Sequence, residues 1–248
     1  MRRYSYIVVA FIILIFGIIV VPNIVTRIQE SDRVDTTRLS AQMPLAFIEL
    51  NGEAKRVPDF VFTNQDNRLI SNEDYLGKVY VVEFFFTTCP TICPIMNTNM
   101  KRLENAFGDR DDFGIASFTI DPEKDTPAQL KRYAENLAVF SQNWHFLTGN
   151  IDNIYDLANK GFNIFAGINP AVAGGFEHQG YFALVDKNGY LRSRTDQFGN
   201  PIVYYLGVSE DEIEVQGTDM LVEDVRKLLE NGTYKRLSAA VTAAMGEF

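Results

Sequence analysis

Cysteine and histidine are scarce in this chain, with two of each among 248 residues. Two cysteines exclude a disulfide-rich scaffold. Any site made of thiol and imidazole must draw on Cys89, Cys93, His145 and His178. Basic residues are also in deficit: 23 Lys plus Arg stand against 32 Asp plus Glu, a formal net charge of -9. Phosphate binding needs a basic face, so nucleic acid is not an expected partner. Wholesale disorder is excluded as well, because 46% hydrophobic and 22% charged residues is a globular balance. No internal repeat is present. The length accommodates one large domain or two small ones.

One long hydrophobic run is present, at the start. Ile7 to Val21 is unbroken apolar, and no charge occurs between Tyr4 and Thr26. At about 1.5 Å per residue such a segment crosses a hydrocarbon core of about 30 Å. A cleaved signal peptide is the competing reading, with Arg2 and Arg3 as its basic leader. No small-x-small cleavage site follows Val21, where Pro22, Asn23, Ile24 and Val25 stand. Residues 1–26 are therefore expected to be an uncleaved membrane anchor. Arg2 and Arg3 argue for a cytoplasmic start, but Arg27, Arg33 and Arg38 lie just beyond the span, so the count alone does not orient it. The start lacks the Arg- and Ser-rich character of a mitochondrial transit peptide. The expectation is a single-pass protein of the bacterial inner (cytoplasmic) membrane, its domain facing the periplasm or cell exterior. Without Arg2 and Arg3 the remaining chain carries a net charge of -11.

Residues 27–57 read as a linker, with a short strand near Leu45 to Leu50, and residues 58–231 as the main domain. Asn64-Gln65-Asp66-Asn67 between Phe60 to Thr63 and Arg68 to Ile70 suggests a hairpin. Lys78 to Phe86 is β-branched and aromatic, bounded by Gly77 and Pro90, and reads as a central buried strand. Met96, Met100, Leu103 and Phe107 have helical spacing, and Phe113 to Ile120 reads as a second buried strand. Thr126-Pro127 marks the start of a helix expected to reach Phe140. A strand over Trp144 to Leu147 and a helix over Ile151 to Lys160 follow. Asp186-Lys187-Asn188-Gly189 is a hairpin turn between Gly180 to Val185 and Tyr190 to Arg194, before a helix over Thr218 to Glu230. Ala166 to Gly175 reads as a mobile loop and residues 232–248 as a loosely ordered tail. Strands alternating with helices and closed by a hairpin and helix describe an α/β sandwich.

Cys89 and Cys93 follow the buried strand, in Phe86-Thr87-Thr88-Cys89-Pro90-Thr91-Ile92-Cys93-Pro94. With a helix beginning near Pro90 they share one face, their Cβ atoms about 5–6 Å apart. That suits one soft metal, Cu(I) or zinc. A helix N-terminus also favours thiolate. Two buried small hydrophobes, or one structural disulfide, are the plainer readings. A disulfide closing so short a loop stabilises little, which favours a redox or metal role. A Cys-x-x-Cys oxidoreductase motif is the nearest alternative, but one further residue separates these sulfurs and no proline precedes the later strand. A peroxiredoxin-like site lacks its Thr-x-x-Cys, since Thr87 and Thr88 stand two and one residues before Cys89.

His178 lies between the glycine-rich stretch and the strand from Gly180, where a thioredoxin-like sandwich faces the cysteine-bearing helix terminus. It either completes a Cys2His site or is a surface loop histidine. His145 reads as a packed strand residue. Asp121 and Asp125 look like paired carboxylates but read better as a turn and a helix start. Met43, Met96 and Met100 suggest a methionine copper site, although helical spacing makes Met96 and Met100 core residues.

Together these pieces resemble the SCO/SenC family of copper-binding, thioredoxin-fold proteins. The resemblance rests on Val57-Pro58-Asp59-Phe60, Gly77-Lys78-Val79, the stretch Phe84 to Pro94, Asp121-Pro122-Glu123-Lys124-Asp125-Thr126-Pro127, Trp144-His145-Phe146-Leu147-Thr148-Gly149, and His178 before Leu184-Val185-Asp186-Lys187-Asn188-Gly189. Their order and spacing cover Pro58 to Leu229. The resemblance implies a thioredoxin-like three-layer sandwich with an N-terminal hairpin, preceded by a single transmembrane helix. It implies that Cys89, Cys93 and His178 bind copper, as Cu(I) with Cu(II) left open. It further implies a chaperone that delivers copper to, or maintains the thiols of, the copper A centre of cytochrome c oxidase. Its partners would be the oxidase subunit carrying that centre, a thiol reductant or copper donor protein, and the membrane. Two departures stand out: Glu177 precedes the histidine where the family commonly has Asp, and Thr91-Ile92 lie between the cysteines where an acidic residue is frequent. Some relatives act mainly as thiol reductants, so a thiol–disulfide oxidoreductase acting on exported proteins is the second hypothesis. A purely structural or interaction role is a further option, its acidic surface able to steer a basic partner.

Overall fold

The computed structural model describes residues 45–196, 198–208 and 217–230. The expected anchor, the expected tail and Met43 lie outside these residues. Among the described residues no helix is long and apolar enough to cross a membrane.

In chain order the strands begin with β1 (Ala46–Phe47), β2 (Glu49–Leu50) and β3 (Glu53–Ala54). The expected hairpin follows as β4 (Val61–Asn64) and β5 (Leu69–Ser71). A 3-10 turn over Asn72–Tyr75, capped by Ser71, leads to β6 (Val79–Phe85) and α1 (Cys93–Phe107). Then come β7 (Phe113–Thr119), α2 (Pro127–Asn136), β8 (Trp144–Thr148) and α3 (Ile151–Asp156), which widens into a π turn over Leu157–Phe162. β9 (Ala166–Ile168), β10 (Phe176–His178), β11 (Tyr181–Val185), β12 (Leu191–Ser193) and β13 (Tyr205–Leu206) precede a last helix, α4 (217–230).

The main sheet runs β1-β12-β11-β6-β7-β8-β4-β5, with β13 paired to β11. β6, β7 and β8 are parallel, whereas β11 is antiparallel to β6, and β12 to β11. Strand order β12-β11-β6-β7 with helices between is the thioredoxin-like core. Every residue of β6 and β7 is buried, as expected of strands covered on both faces. Right-handed crossovers place α1 and α2 on one face, where Phe85 stacks on Tyr133 and meets Phe146 edge-on. Asp219 of α4 pairs with Arg102 of α1, which puts α4 beside it. On the other face Phe84 packs against Phe118 and Phe162. Met96, Met100 and His145 are buried, so core packing accounts for all three.

Three expectations need correction. First, α2 stops at Asn136 rather than Phe140. Ala138 turns left-handed at φ 51, and the N–H groups of Phe140 and Ser141 each donate to buried Glu104 Oε1 at 2.8 Å. That carboxylate supplies acceptors which another helical turn would otherwise provide. Second, Ala166 to Gly175 is not simply a loop. It supplies β9 and the tip of a hairpin whose register pairs Ala166 with His178. Third, the helix bearing the cysteines starts at Cys93, not near Pro90. Pro94 has no N–H to give the carbonyl of residue 90, and its ring would clash with it, so no helical turn can precede it. The expected strand near Leu45 to Leu50 appears as β1 and β2, and β1 pairs with β12.

Candidate metal centre

β6, in the middle of the sheet, delivers the chain to Phe86 and Thr87 just past its C-terminal end. There the segment is clamped rather than helical. Buried Asp125 accepts the Thr87 N–H at 3.0 Å, the Thr87 hydroxyl at 2.5 Å and the Thr119 hydroxyl at 2.5 Å. Gln129 Nε2 also donates to the Thr87 hydroxyl at 3.3 Å. Cys89 N–H donates to the Phe86 carbonyl at 3.2 Å, and the chain turns over Pro90 into Cys93, the first residue of α1. The sulfurs are thus brought together by a turn, not by a common helix face. Both are free thiols.

The β9–β10 hairpin brings His178 onto this turn. Gly174, at φ 89, lets the hairpin tip close on Phe86, since a Cβ there would meet that ring at 2.9 Å. Phe86 lies against the Phe176 and His178 rings at 5.3 and 5.9 Å. His178 Nε2 is 3.3 Å from Cys93 Sγ, and Nδ1 is 3.3 Å from the Gln179 carbonyl. A proton on Nδ1 donated to that carbonyl leaves Nε2 free to accept or to ligate.

The donor atoms of Cys89, Cys93 and His178 all lie within 4.8 Å of one another. Metal–sulfur bonds of about 2.3 Å and metal–nitrogen bonds of about 2.0 Å would separate donors around a trigonal ion by about 3.7–4.0 Å. The three side chains therefore fit a soft ion with small adjustments. Their environments are unequal. The Cys93 thiol, donating toward Cys89, holds Cys89 well below the usual thiol range, and His178 and the N–H groups of Cys93 and Thr91 add to this. The same contact, together with burial, raises the Cys93 thiol. Cys89 is 9% exposed and Cys93 1%. A cavity of about 220 Å³, walled by Phe86, Ile92, Val172 and Phe176, reaches Cys89 and His178 but not Cys93. Cys89 is accordingly the sulfur that an incoming group meets first.

Sequence reasoning named the three donors but not the clamp behind them. From the sequence Asp125 reads as a helix start, which says nothing of what its carboxylate holds. Asp121, the other member of the pair, is buried and takes the Lys124 ammonium at 3.1 Å. His145 stays apart from the site, its Nδ1 3.4 Å from Asn64 Nδ2.

Comparison with known proteins gives the family and the fold. The family model described as SCO1/SenC matches residues 49–209, and the chain belongs to that family. A SCO1 protein homolog of Bacillus subtilis (strain 168) is 38% identical over 135 residues, 54% of this chain and 69% of the relative. Among solved structures, a SCO1/SenC family lipoprotein of Bacillus anthracis str. Ames has a TM-score of 0.59 at 29% identity, covering 71% of this chain and 95% of that one. BsSco, a member of the Sco family of cytochrome c oxidase assembly proteins with an identified disulfide switch, has a TM-score of 0.56 at 34% identity, covering 69% and 92%. Bradyrhizobium japonicum ScoI, solved with copper bound, shares the fold at 20% identity and a TM-score of 0.53, covering 70% and 99%.

Proposed function

We propose that this protein is a membrane-anchored copper metallochaperone. Cys89, Cys93 and His178 hold the copper, which passes to the copper A centre of cytochrome c oxidase; the same dithiol can instead keep that centre's thiols reduced. The convergence of three soft donors within 4.8 Å carries this reading. Two thiolates and one imidazole suit Cu(I), which accepts three-coordination, better than any hard cation. Copper bound to ScoI and the assembly role of BsSco support the cargo and the client. The ion is cargo, so it must be released as well as bound. Cys89 and His178 both border the cavity, and Cys89 is the sulfur a client thiolate can displace, while buried Cys93 holds from behind. Oxidation of the pair to a disulfide removes two donors together, so loading requires the reduced form.

We assign residues 1–26 to the anchor, 27–57 to the connection, whose end joins the main sheet as β1, 58–231 to the copper domain and 232–248 to a tail, with the domain outside a bacterial inner membrane. The apolar run supports this, and the Bacillus anthracis relative is a lipoprotein, a class held at membranes by acyl chains.

The test is an anaerobic Cu(I) titration of the reduced chain against a competing chelator, with X-ray absorption on the loaded form. Two sulfurs and one nitrogen are expected around copper, with His178→Ala losing the nitrogen and binding more weakly. Unchanged affinity and an unchanged shell would remove His178 from the site. The depressed Cys89 thiol equally suits a thiol–disulfide oxidoreductase. Thiol-exchange activity that survives His178→Ala, with no stoichiometric copper bound, would favour that second reading.

A further inference from the structure

Among the described residues the β9–β10 hairpin, which carries His178, is a two-stranded sheet of its own, apart from the main sheet. Its register shows which backbone groups are left to bond elsewhere. Gln179 N–H donates to the Phe165 carbonyl at 3.2 Å and Asn169 N–H to the Gly175 carbonyl at 2.9 Å, on either side of the Gly167–Glu177 pair. Antiparallel pairs alternate, so these three are the hydrogen-bonded pairs and Ala166–His178 is a non-hydrogen-bonded one. The N–H and C=O of Ala166 therefore point away from β10. In such a pair the Cα atoms are about 4.5 Å apart, and the two side chains leave the same face side by side. Whatever fixes Ala166 fixes His178.

Ala166 is fixed by one side chain. Asn159 Nδ2 donates to the Ala166 carbonyl at 2.9 Å, and Asn159 Oδ1 accepts the Ala166 N–H at 3.2 Å. One carboxamide thus gives Ala166 the donor and the acceptor that a neighbouring strand would give. Nδ2 also donates to the Tyr155 carbonyl at 3.0 Å, which ties the amide to its own helix. Asn159 stands in the π turn over Leu157–Phe162, a feature that recurs at functional sites. Leu157, Ala158 and Phe162 of that turn are buried, and the Ile164 N–H returns to the Ala158 carbonyl at 2.9 Å, so the platform is anchored in the core. At its other end the hairpin rests on Phe86 through Gly174 and Phe176. Those contacts are apolar and permit sliding, whereas the paired bonds from Asn159 fix position along the strand.

We propose that Asn159 is the positioning residue for His178: standing in for a neighbouring strand, it docks the β9–β10 hairpin so that the imidazole meets the sulfurs. This rests on His178 being a copper ligand, as the proposed function holds. The line of contact is short. Asn159 holds Ala166, Ala166 faces His178 across the hairpin, and His178 Nε2 stands 3.3 Å from Cys93 Sγ. Asn159 is not itself one of the three donors, so replacing it removes no ligand. Ala166 is 3% exposed, and without the amide its N–H and C=O are buried and orphaned. Such groups are costly to leave unmade, so the hairpin shifts until water reaches them and carries His178 with it.

The experiment is a double-mutant cycle on the reduced full chain in detergent, with Cu(I) affinity and X-ray absorption measured for wild type, Asn159→Ala, His178→Ala and the double variant. Asn159→Ala is expected to lose about 10–100-fold in affinity, and to lose the nitrogen of the shell while both sulfurs remain. In the His178→Ala background the same substitution is expected to change nothing, because its effect runs through that imidazole. An equal loss in both backgrounds overturns the proposal, and so does an unchanged Asn159→Ala where His178→Ala binds more weakly. Asn159→Asp is isosteric and leaves no cavity; it removes the donated bonds and acts in the same direction if the alanine variant does not fold. A metal-free reading comes from NMR of the reduced chain. Cross-relaxation between the His178 and Phe86 rings is expected in wild type and is lost in the Asn159 variants; its retention there overturns the proposal. If His178→Ala leaves copper binding untouched, the copper reading fails and the NMR comparison still decides the role of Asn159.

Discussion

Replacing Asp125 with alanine perturbs the cysteine turn without touching a ligand. Its buried carboxylate receives the Thr87 N–H at 3.0 Å and two threonine hydroxyls at 2.5 Å. The hydroxyls can rotate toward other acceptors, but the Thr87 N–H cannot, and it becomes an orphan donor. Bonds to a charged acceptor are worth about 1.5–3 kcal/mol each and an orphaned donor costs about 1–3 kcal/mol, so a loss of about 3–5 kcal/mol is expected. Set against a total stability of about 5–15 kcal/mol, this is large. Urea denaturation followed by fluorescence of Trp144, the single tryptophan, reads it directly. Asp125→Asn keeps one carbonyl oxygen for the Thr87 N–H and is expected to lose only about 1 kcal/mol. Because Thr87 fixes where Cys89 begins its turn, Cu(I) affinity of the alanine variant should fall about 10–100-fold, as when other supports of metal ligands are removed. An alanine variant with the wild-type urea midpoint and wild-type copper affinity would refute the clamp, leaving the turn to be held by Pro90 and the Phe86 carbonyl alone.

Two other perturbations test the fold that carries the site. His145 is buried, and burial lowers its imidazole to about 4, so the unfolded chain binds its proton first as pH falls from about 6.5. Its contribution to stability is complete above that range and shrinks by up to ~3 kcal/mol by pH 4; a pH series of urea melts should show this slope weakened in His145→Asn. Arg194 is 3% exposed and donates to fully buried Asp224, which also accepts from Tyr205. Asp224 keeps Tyr205 and the Lys227 ammonium at 3.0 Å when Arg194 is removed, so Arg194→Ala should cost about 1.5–3 kcal/mol, and a thermal melt within about a degree of wild type would contradict it.

The sheet was legible because burial on both faces leaves little choice of residue. β6 and β7 read as near-continuous apolar runs for that reason. The start of α2 was legible from Thr126-Pro127, whose threonine accepts the Gln129 N–H at 3.4 Å. Its end was not, because the residue that stops it, Glu104, comes from another helix. The β9–β10 hairpin was hidden for a different reason. Ala and Gly carry little strand signal, and here the pairing is set by the partner strand and by the fit of Gly174 on Phe86.

The candidate donors and the residues behind them differ in a way that explains which of them could be read. Cysteine and histidine are so rare in this chain that elimination alone leaves few sets, and family spacing picks one. Asp125 and Thr87 belong to common residue types, and their local sequence does not show the long-range contact between them. The sulfur geometry shows the same limit. A shared helix face and a clamped turn both bring the cysteines close, but they differ chemically. On one face the two thiols would be near equivalents. In the turn, Cys93 is fixed at the helix start and buried while Cys89 borders the cavity. That asymmetry leaves one sulfur accessible and the other enclosed, and it comes from Pro94, which forbids the earlier helix start.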